Sequence, residues 1–407
     1  MFIYERMLGM IETQNTADAA SGARRVEWIR SRMPLLAQAR EDFARTRPFA
    51  GHRIGMSLHV EPKTAVLVET LAAGGAEIVG TGNHGSTQDD VVAYLNQSGM
   101  TIFGRRDDDL QQHHANVAAV LDAEPSILLD NGGDLVAGVV SRGATDSILG
   151  GTEETTSGGD RLRTELAGQV PFPVIVINDS LLKQIGENKH AVGQSVAESF
   201  MRITNLMVPG TRFVVVGYGW CGRGVAHYLR SLGGKVAVAE IDELKAFEAA
   251  LDGFRVSSVL DLASWADVII TATGRPGVVG ADVFERMHDG AILANCGHFP
   301  WEIDVPALLA SATSSRAVDE AIDRIELPDG RHLVLLAQGR MFNLAGRSPK
   351  GNSIQSMDLG FLLQVLSLER VALEAPRGTL APGAQPVPED IERLIARRML
   401  SAMSASE

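Results

Sequence analysis

Cysteine is nearly absent: Cys221 and Cys296 are the only two in a chain of 407 residues. That is too few for a disulfide framework or a cysteine-based zinc site, and it fits a reducing cytosol. Basic residues are also short, 37 against 50 acidic ones, and the net charge of −13 disfavours a general electrostatic grip on nucleic acid or anionic lipid. No apolar run approaches the roughly 20 residues needed to span a bilayer. Residues 1–11 carry Glu5 and Arg6 where a secretory signal needs an apolar stretch. The expectation is a cytoplasmic protein with neither a membrane nor a nucleic-acid partner. There is no G-x-S-x-G nucleophile elbow, no Walker A lysine loop and no clustered His/Cys pattern, so no metal is expected. Solenoid-period repeats and low-complexity tracts are missing too. What the chain has in quantity is apolar surface to bury: 45% hydrophobic against 21% charged residues, over a length that predicts two or three packed units.

The first twenty or so residues read as a loose lead-in, and apolar spacing predicts helix over 24–45. Short apolar runs ending in polar or Gly-rich turns then alternate with amphipathic stretches. The first series, at 53–59, 77–81, 126–130 and 173–179, and the second, at 212–216, 235–240, 268–273, 291–295 and 332–336, read as buried parallel strands. The fold class is therefore α/β, with two Rossmann-like doubly wound domains. Residues 375–388, with four prolines and two glycines, read as a linker before a C-terminal helix. Strand ends in such sheets carry the ligand sites, and here they place His59, Asn131, Asn178, Glu240, Thr273 and Asn295 on two functional rims. His113 and His114 are adjacent in a polar helical stretch and are expected at the surface.

The sharpest motif is Gly217-Tyr218-Gly219-Trp220-Cys221-Gly222, which follows a strand, opens a helix, and has Glu240 at the next strand end. In that context G-x-G-x-x-G is a dinucleotide fingerprint: Gly217 for the turn, Gly219 for approach of the pyrophosphate, Gly222 for helix packing. Glu240 accepts from ribose hydroxyls and repels a 2′-phosphate, which favours NAD over NADP. Lys245, on the following helix, is near enough in sequence to reach the ribose region, although a solvated helix lysine is the plainer reading.

Around this fingerprint the chain resembles the S-adenosyl-L-homocysteine hydrolase family over nearly its whole length. The matching stretches are Leu58-His59, 64–67, Ser86-Thr87-Gln88-Asp89, 130–134, 153–158, 178–180, Asn295-Cys296-Gly297-His298-Phe299, and Gly339-Arg340 with Asn343, all in family order. The resemblance implies a substrate domain (1–180, completed by 343–374) interrupted by an NAD domain (181–342), with 375–407 as linker and helix. It implies tightly bound NAD, a small-molecule nucleoside substrate and a homo-oligomer, dimer or tetramer. In that family the ribose 3′-hydroxyl is oxidised, the 5′ thiol eliminated, water added and the ketone reduced again. Lys183 matches the base at the 3′-hydroxyl and Glu154 the carboxylate on the ribose hydroxyls. Thr155, Thr156 and Ser157 match contacts to the nicotinamide side, with Asn188, Thr273, Asn295, Gly297 and Asn343 also on the cofactor. His59 and His298 match the two active-site histidines, candidates for acid/base work at C4′ and the leaving group.

Several positions depart from the family pattern. Where the family reads His-x-Thr-x-Glu at the adenine edge, this chain has His59, Glu61 and Lys63, and a lysine can only donate. That suits a base with a carbonyl better than one with an amino group, unless Lys63 simply pairs with Glu61. Asn131 replaces a second Asp and cannot titrate. Glu187 replaces an Asp beside Asn188, Val192 a Cys or Thr, and Gly351-Asn352-Ser353 a Gly-His-Pro in a loop that closes over the nucleoside. The chain stops at Glu407, before the family's terminal segment whose Lys and Tyr reach a neighbouring subunit's NAD, and weaker cofactor affinity is the expectation. Because the changes gather on the base and 5′ side, the leading expectation is an adenosylhomocysteinase-like enzyme of altered base specificity. Ordinary S-adenosyl-L-homocysteine hydrolase is the runner-up. A non-catalytic NAD-binding partner of a true hydrolase is a third reading, opposed by retention of Lys183, Glu154 and His298.

Overall fold

The computed structural model describes residues 16–404. Residues 1–15 of the expected lead-in lie outside the described residues, and from Thr16 the chain is helical rather than loose, through Thr16–Arg30. The single helix expected over 24–45 is two. The second, Pro34–Thr46, starts at a proline, which has no N–H to give the preceding turn and a φ suited to a first helical position.

The chain forms two compact units, one holding the described residues up to Lys183 and from Met357 onward, the other Gln184–Ser356. In the first, β1 (Arg53–Leu58), β2 (Glu77–Gly82), β3 (Thr101–Phe103), β4 (Ile127–Asp130), β5 (Gly150–Glu153) and β6 (Pro173–Val176) are joined by a late strand, Gly383–Pro386, in an all-parallel sheet. Its order is Gly383–Pro386, β6, β5, β4, β1, β2, β3. The late strand falls inside the expected linker. It pairs only with β6, an edge position that tolerates its proline.

The second unit contains β7 (Arg212–Val216), β8 (Lys235–Ala239), β9 (Arg255–Val256), β10 (Val268–Thr271), β11 (Ile292–Asn295), β12 (Ser314–Asp319), β13 (Ile322–Glu326) and β14 (His332–Leu336). The sheet order is β12-β13-β14-β11-β10-β7-β8-β9, parallel except for the β12–β13–β14 meander. Both faces are covered: Phe213, Val215 and Ile270 belong to one buried cluster, Val214, Val216 and Ile269 to another. That is why these strands read as continuous apolar runs. The unit continues past the expected boundary at 342 to Ser356: Ala345 packs on the same cluster as Val196 and Phe200, Arg202 donates to the Ala345 and Arg347 carbonyls, and Asn352 donates to Glu187.

In each sheet the connections reverse direction beside the first strand, between β1 and β4 and between β7 and β10. A crevice outside the carboxyl ends of the strands at such a reversal is where doubly wound sheets bind ligands. No helix among the described residues is long and apolar enough to cross a membrane.

Candidate active site

In the first unit the expected residues follow the carboxyl ends of β1, β2, β4, β5 and β6. Past β1, His59 Nδ1 lies 2.6 Å from Ser86 Oγ, and the buried Lys63 pairs with Glu61 at 2.7 Å. Past β2, Ser86 Oγ donates to the Asn83 carbonyl at 3.0 Å. Thr87 is buried, its hydroxyl against Gly82. Gln88 accepts from Arg25, a contact within the unit's own helical layer.

Past β4 and β5, Asn83 Nδ2 donates to Asn131 Oδ1 at 2.7 Å and Asn131 Nδ2 donates to Glu154 Oε2 at 2.8 Å. The direction of the first bond fixes the second: the Asn131 amide must face Glu154 with its donor. Thr155 caps the helix Thr156–Arg163, accepting from Gly158 N at 2.9 Å, and its hydroxyl is also 3.1 Å from Ser157 Oγ. Past β6, Lys183 is buried with Nζ 3.4 Å from Asn178 Oδ1.

In the second unit Gly217 has φ +98°, a conformation side chains rarely adopt, and a Cβ at Gly222 would stand 2.0 Å from the Gly217 carbonyl. A Cβ at Gly219 would meet nothing within 4 Å, so the backbone is open beside the N-terminus of the helix Trp220–Ser231. Glu240 accepts from Tyr218 N at 2.6 Å, Ile241 N at 2.8 Å and Asp242 N at 3.0 Å. Lys245 is half-exposed and paired with Asp242 at 3.7 Å. This donor and acceptor set fits a dinucleotide: amides at a helix N-terminus for phosphate and a pinned carboxylate for ribose hydroxyls.

Glu187 and Asn188 lie on a π-helical stretch, Gln184–Ala191, a conformation frequent at functional sites. Asn352 Nδ2 donates to Glu187 Oε1 at 3.3 Å, Ser195 Oγ reaches Asn352 Oδ1 at 3.4 Å, and Asn343 Nδ2 donates to Ser195 Oγ at 3.1 Å. Asn343 Oδ1 is buried without a partner.

Comparison with known proteins decides the family. Residues 11–145 match the family model described as S-adenosyl-L-homocysteine hydrolase, and residues 188–348 its NAD binding domain. The S-inosyl-L-homocysteine hydrolase of Methanothermobacter thermautotrophicus is 42% identical over 95% of this chain and 92% of its own. The corresponding enzyme of Methanopyrus kandleri is 42% identical over 95% and 91%. The adenosylhomocysteinase of Thermococcus kodakarensis is also 42% identical over 95% and 91%. The chain belongs to the S-adenosyl-L-homocysteine hydrolase family. It is an enzyme of that hydrolase class, its second unit is the family's NAD-binding domain, and its cofactor is NAD.

Within that family membership, some expected residues are engaged by the fold itself. The buried Asn295 accepts from Thr271 Oγ1 at 2.9 Å and Gly297 N at 2.8 Å and donates to the Phe299 and Gly339 carbonyls at 2.9 and 3.0 Å. It holds the loop of Gly297 and His298, whose ring meets Phe299 edge-on. Thr273 is gripped by a residue that sequence reasoning missed: the buried Glu302 accepts from Thr273 N, Thr273 Oγ1 and Gly274 N at 2.7, 2.7 and 2.8 Å. Asn83 and Glu153 were missed as well, although both stand within or beside quoted motifs. His113 corrects the surface expectation. It is buried with Nε2 3.2 Å from Asp134, because it shares a helix face with Val117 and Val120; its neighbour His114 is exposed.

Proposed function

We propose that the chain hydrolyses an S-nucleosyl-L-homocysteine thioether and prefers a purine with a carbonyl at position 6, as in S-inosyl-L-homocysteine. The observation that carries the base preference is Lys63, an ammonium 4% exposed just past the end of β1 and anchored by Glu61. A lysine ammonium can only donate, which complements a carbonyl and opposes an amino group. The Methanothermobacter and Methanopyrus relatives, both S-inosyl-L-homocysteine hydrolases, support the same choice. The equal identity to the Thermococcus adenosylhomocysteinase favours ordinary S-adenosyl-L-homocysteine hydrolysis as the second reading.

NAD, when bound, supplies the oxidation at C3′ and the matching reduction at the end. Lys183 takes the 3′-hydroxyl proton, and the Asn178 contact holds its amine in place. Glu154, steadied by Asn131, holds the ribose hydroxyls. His59 and His298 move protons at C4′ and the 5′ side.

Homocysteine release from the inosyl and adenosyl thioethers tests the proposal. An unmatched buried donor costs about 1 to 3 kcal/mol, so kcat/KM should favour the inosyl compound by roughly ten-fold to a hundred-fold. Lys63→Glu combined with Glu61→Thr should move the ratio back toward adenine. Preference for the adenosyl thioether with a ratio insensitive to the double substitution leaves the second reading, and inertness to both defeats the proposal.

A further inference from the structure

The hydrogen-bond chain behind His59 has a direction. The Asn83 carbonyl can only accept, so the Ser86 hydroxyl spends its proton there, at 3.0 Å. What Ser86 Oγ then offers His59 Nδ1, at 2.6 Å, is a lone pair. From this we infer that Ser86 is a positioning residue which holds His59 with the proton on Nδ1, making Nε2 the nitrogen that exchanges protons with the substrate. The family resemblance implies that Ser86, with Thr87 and Gln88, binds substrate; a positioning role for Ser86 departs from that, and it rests on the proposed reaction for its chemical consequence.

The same loop removes the alternative proton carrier. Asn83 also donates from its side chain to Asn131, whose amide is thereby committed to Glu154. Asn131 has no proton to exchange, so Asn83 fixes both partners, His59 through its carbonyl and Asn131 through its amide. With C3′ a ketone, His59 Nε2 takes the C4′ proton, the C4′ electron pair forms the C4′–C5′ double bond, and the C5′–S bond breaks. The departing thiolate collects the proton from Nε2, and His59 ends as it began. Throughout the cycle Nδ1–H stays on Ser86, so no rearrangement is needed between base and acid forms. A neutral histidine in the other tautomer presents a proton where a base is required, the same fault that makes orientation of a catalytic imidazole costly to lose.

Two measurements on the intact protein test this. In protein with ¹⁵N-labelled histidine, the His59 signals, assigned by their loss in His59→Gln, should show Nδ1 protonated in wild type and a shift toward Nε2–H in Ser86→Ala. In turnover, Ser86→Ala should keep substrate-dependent reduction of bound NAD within a few-fold while thiol release falls by about ten-fold or more, and Ser86→Thr, which restores a hydroxyl, should recover release. An Nε2–H wild type, or a Ser86→Ala enzyme that releases thiol at the wild-type rate, overturns the inference. A wild type that releases no thiol from either thioether defeats the proposed reaction instead, and the tautomer measurement still decides the role of Ser86.

Discussion

Cofactor choice, we propose, comes down to a single carboxylate. Glu240 accepts from the amides of Tyr218, Ile241 and Asp242, three donors that hold its carboxylate at the end of β8. A carboxylate in that place would accept from ribose hydroxyls and repel a 2′-phosphate. Lys245, the nearby cation that would favour the phosphate, is occupied by Asp242. Charge-assisted hydrogen bonds are worth about 1.5 to 3 kcal/mol, so Glu240→Ala should reduce the preference for NAD over NADP by roughly ten-fold to a hundred-fold. Titration of cofactor-stripped protein with both nucleotides measures it, and an unchanged ratio would remove Glu240 from cofactor selection.

At the scale of elements, the loops after β4 and β5 are tied together by Glu153. Its carboxylate accepts from Gly132 N and Gly133 N, both at 3.0 Å, and from Thr155 N and Oγ1 at 2.8 and 2.7 Å. Gly132 and Gly133 have φ of +93° and +76°, which turns their successive N–H groups onto one anion. Burial raises the Glu153 pKa against these donors. On the paired strand Asp130 is raised further, by burial first and then by the charge of Glu153. Glu153→Gln puts an NH₂ against backbone N–H donors, and the two loops that carry Asn131 and Glu154 should separate. Nucleoside affinity is expected to fall about ten-fold or more with NAD content unchanged, whereas unaltered affinity by calorimetry would show that the loops hold without the tie. This tie was only half legible in the sequence: the motifs named its ends, but β5 reads Gly-Gly-Thr-Glu, with no apolar run to announce a strand. The strands the sequence did announce, β7, β10 and β11 among them, are those buried on both faces. Glu302 and His113 escaped because a lone polar residue carries no sign of burial; only the neighbours brought to it by folding do.

Over the whole molecule the chain leaves its first unit after Lys183 and re-enters it at Met357, one residue before Asp358. Asp358 is where the returning segment is fastened: Oδ2 and Oδ1 accept from Leu35 N and Leu36 N, both at 2.9 Å, capping the helix Pro34–Thr46 whose own N-cap residue, Met33, makes no side-chain bond. The two amides favour the charged carboxylate, but burial outweighs them and pushes the pKa up to about 6 from 3.8. A carboxyl raised on folding contributes stability that is fully present below its unfolded pKa, near 4, and is lost as the pH rises through about 6, because the folded state binds the extra proton over that window. At 1.36 kcal/mol per pKa unit the swing is on the order of 3 kcal/mol. Asp358→Ala, which lacks the titration, should therefore lose most stability relative to wild type near pH 4, and the gap should narrow as the pH is raised to 7. Thermal unfolding of both proteins across that range reads the gap directly; one that stays constant or widens toward neutral pH means that the two amides dominate and that the fastening is a charged cap throughout.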